Sequence, residues 1–464
     1  MSPNESSLAY INMETLHTLF YFIIAVGLLI AIHEFGHFWV ARKTGVKVLR
    51  FSIGFGKIVW SYQKSPETTE YALSVFPLGG YVKMVDEREG NVAADDLPYA
   101  FNRQVLWVRS AIVVAGPLFN LALAVMLFWL VLVLGETGFK PILGTIEPNT
   151  IAASANFKEG DEILTVNGKT TPTWTEAMNA VITSALDGQT ELTIKVKTLD
   201  EREELRVVNL TGADSQSPEA LYKRLGFNPW TPKLKPIIGE LLPEGTAKVA
   251  GLKKGDLVLT VDDVAINDWM QWVDTVKKAP GKSLNVKIER DGVLMSLTVI
   301  PKPTQVGDTT EGKIGAMVLV PEDLLNSVRA EYSLPMLEAI PVAFETTYYY
   351  SVTTVKMIGK MLVGRASVEN LSGPISIAQL AGQTASLGFV PFIKFLGLVS
   401  VSLGVLNLLP IPMLDGGHLM FYAIEGIKGK PVSEKVQLAF QHAGLAVLLT
   451  LMALAMVLDI QRLF

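Results

Sequence analysis

Hydrophobic and polar positions divide this chain into four long apolar runs separated by two very different kinds of polar sequence. The apolar runs are Leu19–Val40, Leu106–Leu134, Pro391 to about Pro412, and Leu438–Leu458. Each is close to or above the ~20 residues that a helix needs to cross a bilayer. Between the first two lie short β-type runs broken by Gly and Pro. Phe51-Ser52-Ile53-Gly54-Phe55-Gly56 leads to Tyr71–Phe76, and Pro77-Leu78-Gly79-Gly80 interrupts before Tyr81-Val82-Lys83-Met84. This predicts strands and turns, unusually apolar for a surface loop, and suited to pair with an extended peptide along an edge. A small hairpin with no part in chemistry is the plainer alternative.

The sequence between the second and third runs is polar and repeats itself. Ile142-x-Gly144 returns as Ile237-x-Gly239 and Lys158-x-Gly160-Asp161 as Lys253-x-Gly255-Asp256. Ile163–Val166 returns as Val258–Val261, and Trp174 as Trp269. All are 95 residues apart. Each copy reads as short strands around one helix, near 174–185 and 269–279, and is domain-sized. The pattern resembles PDZ domains, which bind peptides by strand addition beside a helix. A peptide-binding groove and a purely steric role both remain open at this point. Residues 342–363 are moderately apolar but carry Glu345, Lys356, Lys360 and three consecutive tyrosines. They are expected to lie at the membrane interface rather than to cross it.

The expected architecture is therefore a membrane protein. An α-helical bundle of four transmembrane helices carries a membrane-associated β-hairpin and two tandem PDZ-like α+β domains outside. The segments are 1–41, 42–105, 106–135, 138–225, 226–310, 322–375, 391–418 and 437–460. With 49% hydrophobic residues and a mean hydropathy of +0.34, the 464-residue chain suits such a mixture. Its net charge of −5 gives no reason to expect a nucleic-acid partner, and the absence of cysteine excludes disulfides and thiolate metal sites. No cleavable secretory signal is expected, because no Lys or Arg precedes the first run and no small-residue cleavage site follows it. Glu5 and Glu14 precede that run, while Arg42, Lys43, Lys47, Arg50 and Lys57 follow it. The positive-inside rule thus sets the N-terminus outside and residue 42 onward in the cytoplasm.

The chemistry sits in the first run. His33-Glu34-Phe35-Gly36-His37 is an H-E-x-x-H sequence. On a helix, positions i and i+4 share a face, so two imidazoles can reach one ion while the neighbouring Glu serves as general base. Chance matches are common in soluble proteins. At membrane depth, ionisable groups are costly and usually functional, which favours the metal reading. Counting about 1.5 Å per residue from Leu19, His33 falls roughly 21 Å along the helix, in the cytoplasmic half.

Two histidines do not complete a catalytic zinc site, which usually takes three protein ligands and water. The first and third runs cross in the same direction, so the end bearing His33 and His37 meets the end bearing Met413-Leu414-Asp415-Gly416-Gly417-His418. Asn407 and Pro410-x-Pro412 loosen the helix just before Asp415, and free backbone at that depth belongs beside a cavity. Asp415 is either the third ligand or a cap for the helix that follows.

These motifs together resemble the site-2 protease family of intramembrane zinc metalloproteases. The resemblance rests on His33–His37, Asn407–Gly416 and the paired PDZ-like repeats, with Phe55-Gly56, Pro77–Met84 and Asn370-Leu371-Ser372-Gly373-Pro374 extending it over nearly the whole chain. It implies one zinc ion held by His33, His37 and Asp415, with Glu34 as base. It implies substrate contacts from Asn407, the Pro410-x-Pro412 turn and the strand at Gly79-Gly80-Tyr81. The implied substrates are single-span membrane proteins already shortened outside, such as anti-sigma factors and signal-peptide remnants, cleaved in an envelope stress response. The implied location is the bacterial inner membrane, with the PDZ-like domains in the periplasm as a size filter. Two other classes fit parts of the sequence: a membrane-anchored PDZ scaffold with an inert metal site, and a transporter. An intact Glu34 argues against the first, and the confinement of the repeat to the polar region argues against the second.

Overall fold

The computed structural model describes residues 3–211, 218–306, 309–363 and 373–461, which form two compact units. Asn370, Leu371 and Ser372 of the motif quoted above lie outside the described residues, as do parts of segments 138–225, 226–310 and 322–375.

Among the described residues, four helices are long and apolar enough to cross a membrane: Met13–Lys43, Leu106–Leu134, Phe389–Leu408 and Glu434–Gln461. The first belongs to α1 (Pro3–Lys43) and the second is α2 (Leu106–Leu134). Between them stand two long strands, β1 (Val48–Tyr62) and β2 (Glu70–Met84). Their register shows that each bends back on itself. Ile53 pairs with both Gly80 and Leu73, while Leu73 also pairs with Trp60. The order across the sheet is therefore 80–84, 48–53, 70–74, 58–62. The bends fall at Gly54 and Gly56, with φ of 91° and 88°, and between residues 76 and 80, where the register passes from Phe55 back to Ile53. Among the described residues, no other strand pairs with segment 80–84, so its outer edge is free.

The second unit runs through residues 137–211 and 218–330 and contains the repeat. The first copy has β3 (Glu162–Val166), β4 (Lys169–Thr170), α3 (Trp174–Leu186), β5 (Glu191–Lys197) and β6 (Glu203–Asn209), in sheet order β4-β3-β5-β6. The second copy has β7 (Leu257–Val261), β8 (Val264–Ala265), α4 (Trp269–Lys277), β9 (Leu284–Arg290) and β10 (Val293–Val299), in order β8-β7-β9-β10. The two topologies are identical. The offset of 95 holds only to the start of the helix. Helix α4 is four residues shorter than α3 (9 against 13) and the loop after it two longer (278–283 against 187–190), so the next strand is offset by 93 (191 to 284); the last hairpin loop then shortens from 198–202 to 291–292, giving 90 (203 to 293). Each sheet face packs apolar residues against its helix: Ile163, Val166, Ile194 and Val181 in one copy, Val258, Val261, Ile288 and Trp272 in the other. The repeated Gly-Asp turn has a physical cause. Gly160 and Gly255 hold φ of 90° and 96°, and the next carboxylate accepts from the N–H three residues back, at 3.0 Å in Asp161 and 2.7 Å in Asp256.

In the first unit the chain continues with α5 (Ala339–Leu362), α6 (Pro374–Leu387), α7 (Phe389–Leu408), α8 (Asp415–Lys428) and α9 (Glu434–Gln461). Helices α1, α2 and α7 form the core through Ala25, Leu29, Leu123, Leu127, Phe392 and Leu396. Small residues bring α7 onto α2: a Cβ on Gly397 would stand 2.9 Å from the Phe128 ring, and one on Gly404 3.0 Å from the Pro117 carbonyl. Helix α5 sets Ala339 and Ala343 against α2 and α7, and Tyr350 stacks on Phe128. Helix α9 is anchored by Asp459, whose carboxylate accepts from the N–H groups of Gly373, Ile375 and Ser376 at 2.9–3.1 Å, capping α6.

Candidate metal and peptidase site

The site forms where α1, α2 and the start of α8 converge. Helices α1 and α2 run antiparallel and very close. A Cβ on Gly36 would lie 2.5 Å from the Ala115 carbonyl oxygen, and one on Gly116 would lie 2.3 Å from His37 Nε2. Gly36, the fourth residue of the H-E-x-x-H run, is thus needed for the helix crossing. Gly116 leaves the volume that both imidazoles occupy.

The third element arrives through a break. Helix α7 ends at Leu408, Leu409 turns extended, and Met413 takes φ of 75° before α8 starts at Asp415. Pro410 and Pro412 cannot continue the helical hydrogen-bond ladder. The return is tight: a Cβ on Gly416 would stand 2.0 Å from the Leu409 carbonyl oxygen, and one on Gly417 2.5 Å from that of Ile411. The two glycines after Asp415 are therefore conditions for delivering it.

Three atoms that could hold a metal ion meet here. His33 Nε2 and His37 Nε2 are 3.2 Å apart, and Asp415 Oδ2 lies 3.2 Å from the first and 3.6 Å from the second. The side chains retain 12–18% exposure, enough for water to reach them. Ligands 2.0–2.1 Å from a tetrahedral zinc ion would be about 3.3 Å from one another. The donor set and its spacing fit that ion. Among the described residues this is the one such cluster of three. Asp415 Oδ2 is also buried with no hydrogen-bond partner, and the N-cap of α8 is Leu414, which weighs against Asp415 as a mere cap. His37 Nδ1 lies 2.8 Å from the Ile112 carbonyl oxygen. A carbonyl only accepts, so Nδ1 carries the proton and Nε2 keeps a lone pair with which it could hold a metal.

Glu34, Gly80, Tyr81, Asn407, Asp415 and both histidines line one cavity of about 430 Å³. Gly80 passes so close that a Cβ there would stand 2.8 Å from Glu34 Cγ. The free edge of segment 80–84 therefore runs beside the carboxylate. The described lining does not include Gly79, Pro410 or Pro412. Gly79 is closed off by the Phe55 ring, and Pro412 packs on Gly444 of α9. These three shape the elements that line the cavity.

Several contributors are not evident from motifs. Asp86 and Arg88 stand at the cavity wall as a bidentate pair. Burial pushes the Asp86 carboxyl up, but Arg88 holds it below the usual range. Arg109 of α2 grips Glu425 of α8 through two bonds of 2.6 and 3.2 Å and lies over the Tyr422 ring, fixing the helix that begins with Asp415. Arg109 and Glu425 are 316 residues apart, and only the fold pairs them. Asn120 of α2 brings its amide nitrogen to 3.3 Å from His33 Nδ1 of α1.

Known proteins resemble this chain over nearly its whole length. The profile of peptidase family M50 matches residues 21–451. The regulator of sigma-E protease RseP of Escherichia coli is 41% identical over 445 residues, 95% of this chain and 98% of its own length. The regulator of sigma E protease of Haemophilus influenzae is 38% identical over 453 residues, 97% of this chain and 100% of its own. A Neisseria meningitidis protein with a zinc-metalloprotease name is 42% identical over 452 residues, again 97% and 100%. The chain belongs to peptidase family M50, the site-2 protease family, and is a zinc metalloprotease of the membrane-embedded kind.

Proposed function

We propose that this protein hydrolyses peptide bonds within the transmembrane segments of single-span membrane proteins, using zinc held by His33, His37 and Asp415 and Glu34 as the base. The observation that carries this reading is the approach of three ligand atoms to 3.2–3.6 Å beside Glu34, in one cavity with a free strand edge. Zinc supplies Lewis acidity, polarising a carbonyl and lowering the pKa of water toward about 7. The chain's own residues do the rest. Glu34 accepts the proton of the attacking water and returns it to the leaving amine. Ile112 holds His37 in the ligating tautomer.

A transmembrane helix hides its own carbonyls, so the substrate must unwind first. The free edge at Gly80-Tyr81 supports capture of that unwound backbone by strand addition, with the Asn407 amide as a further donor. Exposed Phe55, Val59, Trp60 and Phe76 support contact of this sheet with lipid. The positive-inside pattern supports a site in the cytoplasmic half of the bacterial inner membrane, with the repeated unit in the periplasm. Among its described residues, that unit contributes no candidate catalytic residue. In our reading its PDZ-like copies exclude substrates whose outer domain is still bulky. The relatives' names tie them to sigma-E regulation; in our reading the substrates are anti-sigma factors and signal-peptide remnants already shortened outside, cleaved in an envelope stress response.

Substitution of the third ligand tests the ligand set. Asp415→Asn is expected to lose both zinc and cleavage of a pre-trimmed single-span substrate. A helix-capping role would cost only about 1 kcal/mol of stability, so full zinc content and normal turnover would overturn the assignment.

A further inference from the structure

The two imidazoles meet one stripe of α2. Ile112, Gly116 and Asn120 are spaced by four residues and so share a helix face. Ile112 offers a carbonyl to His37 at one end, and Gly116 clears the middle. At the other end Asn120 is 99% buried and reaches His33 Nδ1 at 3.3 Å. Its backbone is pinned as well, because the Ser400 hydroxyl of α7 donates to the Asn120 carbonyl at 2.7 Å.

We infer that Asn120 is the positioning residue for His33, accepting a hydrogen bond from Nδ1–H through its side-chain oxygen when the site holds its metal. The inference rests on the proposed ligand set. A histidine that binds through Nε2 keeps its proton on Nδ1, and that proton needs an acceptor. Where the amide nitrogen faces His33, donation to Nδ1 would leave the proton on Nε2, the nitrogen nearest His37 and Asp415. That tautomer cannot ligate through Nε2. Asn120 Oδ1 is buried and makes no hydrogen bond, so turning the carboxamide gives up no bond made by the oxygen. The turned amide presents an acceptor to His33 just as Ile112 does to His37. Both metal-binding imidazoles would then be set by α2.

The test uses the full-length protein in detergent, stripped of metal and titrated with zinc against a chromophoric chelator. Wild type, Asn120→Leu, Asn120→Asp and His33→Ala are compared, and the absorption spectrum of each is recorded with Co²⁺. Loss of an outer partner typically weakens metal binding 10–100-fold. Asn120→Leu should show a loss of that order and an altered Co²⁺ spectrum. Asn120→Asp, which restores an acceptor but not the amide, should return to near wild type in both. A leucine variant with wild-type affinity and spectrum would overturn the inference. So would an aspartate variant as weak as the leucine one, since packing rather than the acceptor would then matter. If His33→Ala binds zinc like wild type, the ligand assignment falls, and the inference with it.

Discussion

Gly116 of α2 lies directly against His37 of α1, with the imidazole Nε2 only 2.3 Å from where a side chain would begin. At this point of α2, backbone rather than side chain faces both imidazoles. That contact ties the chemistry of one helix to the smallness of another, 79 residues later in the sequence (37 to 116).

Gly116→Ala is therefore expected to displace both imidazoles, because the same Cβ would also stand 2.8 Å from His33 Cε1. Zinc content per chain should fall sharply and cleavage with it, while the apolar core of α1, α2 and α7 remains. Metal analysis of the purified variant, with circular dichroism as a folding control, measures this. Undiminished zinc would mean that the ligands do not occupy this place when loaded.

Much of the site was legible because its chemistry is written in short range. His33, Glu34 and His37 fall on one turn, and the Pro410-x-Pro412 break announces Asp415. The apolar runs marked the membrane helices, although the third was read through to residue 418, whereas α7 stops at Leu408 and Asp415 opens a new helix. Gly416 and Gly417 force that separation, because their backbone approach is possible only where the chain turns sharply. The repeat was visible through its Gly-Asp turns. The shift in its later strands was not, because helix and loop lengths beyond Trp174 and Trp269 leave no mark in the quoted pairs. The doubled-back sheet was hidden for a related reason: a strand bent at Gly54–Gly56 looks in sequence like a strand and a turn. The contacts of Asn120, Arg109 and Glu425 depend on long-range packing that no local pattern encodes.

In the second repeat, Arg290 donates to both oxygens of Asp256, at 2.7 and 2.8 Å, and Asp256 is fully buried. Burial pushes the Asp256 carboxyl up, but Arg290 and the Lys253 N–H hold it net below the usual range. A depressed pKa stabilises the fold above the unfolded value of about 3.9, and the contribution is lost as pH falls through the folded value. Thermal unfolding should therefore show this unit weakening below about pH 4. Arg290→Leu should cost on the order of 3 kcal/mol at neutral pH, by stranding the carboxylate. An unchanged melting temperature in that variant would refute the role of the pair.

Removing residues 138–310 separates exclusion from recruitment. If the repeats exclude bulky substrates, the deleted enzyme should still cleave a pre-trimmed substrate and should now cleave the full-length one. The second copy has a cavity of about 250 Å³ lined by Trp269, Trp272 and Val276 of α4 and by residues 311–316, which gives recruitment a structural basis to be tested. Recruitment predicts slower cleavage of the trimmed substrate and none of the full-length one. Cleavage rates of both substrates by both enzymes decide between them.

The central claim is that Glu34 acts as base beside a zinc ion held by three other residues. Zinc content and cleavage of a pre-trimmed single-span substrate, measured together on Glu34→Gln, test it most directly. The account predicts one zinc per chain, as in wild type, with cleavage reduced by about 10²–10⁴-fold, the usual worth of a positioned base. Turnover near the wild-type rate with zinc retained would contradict it.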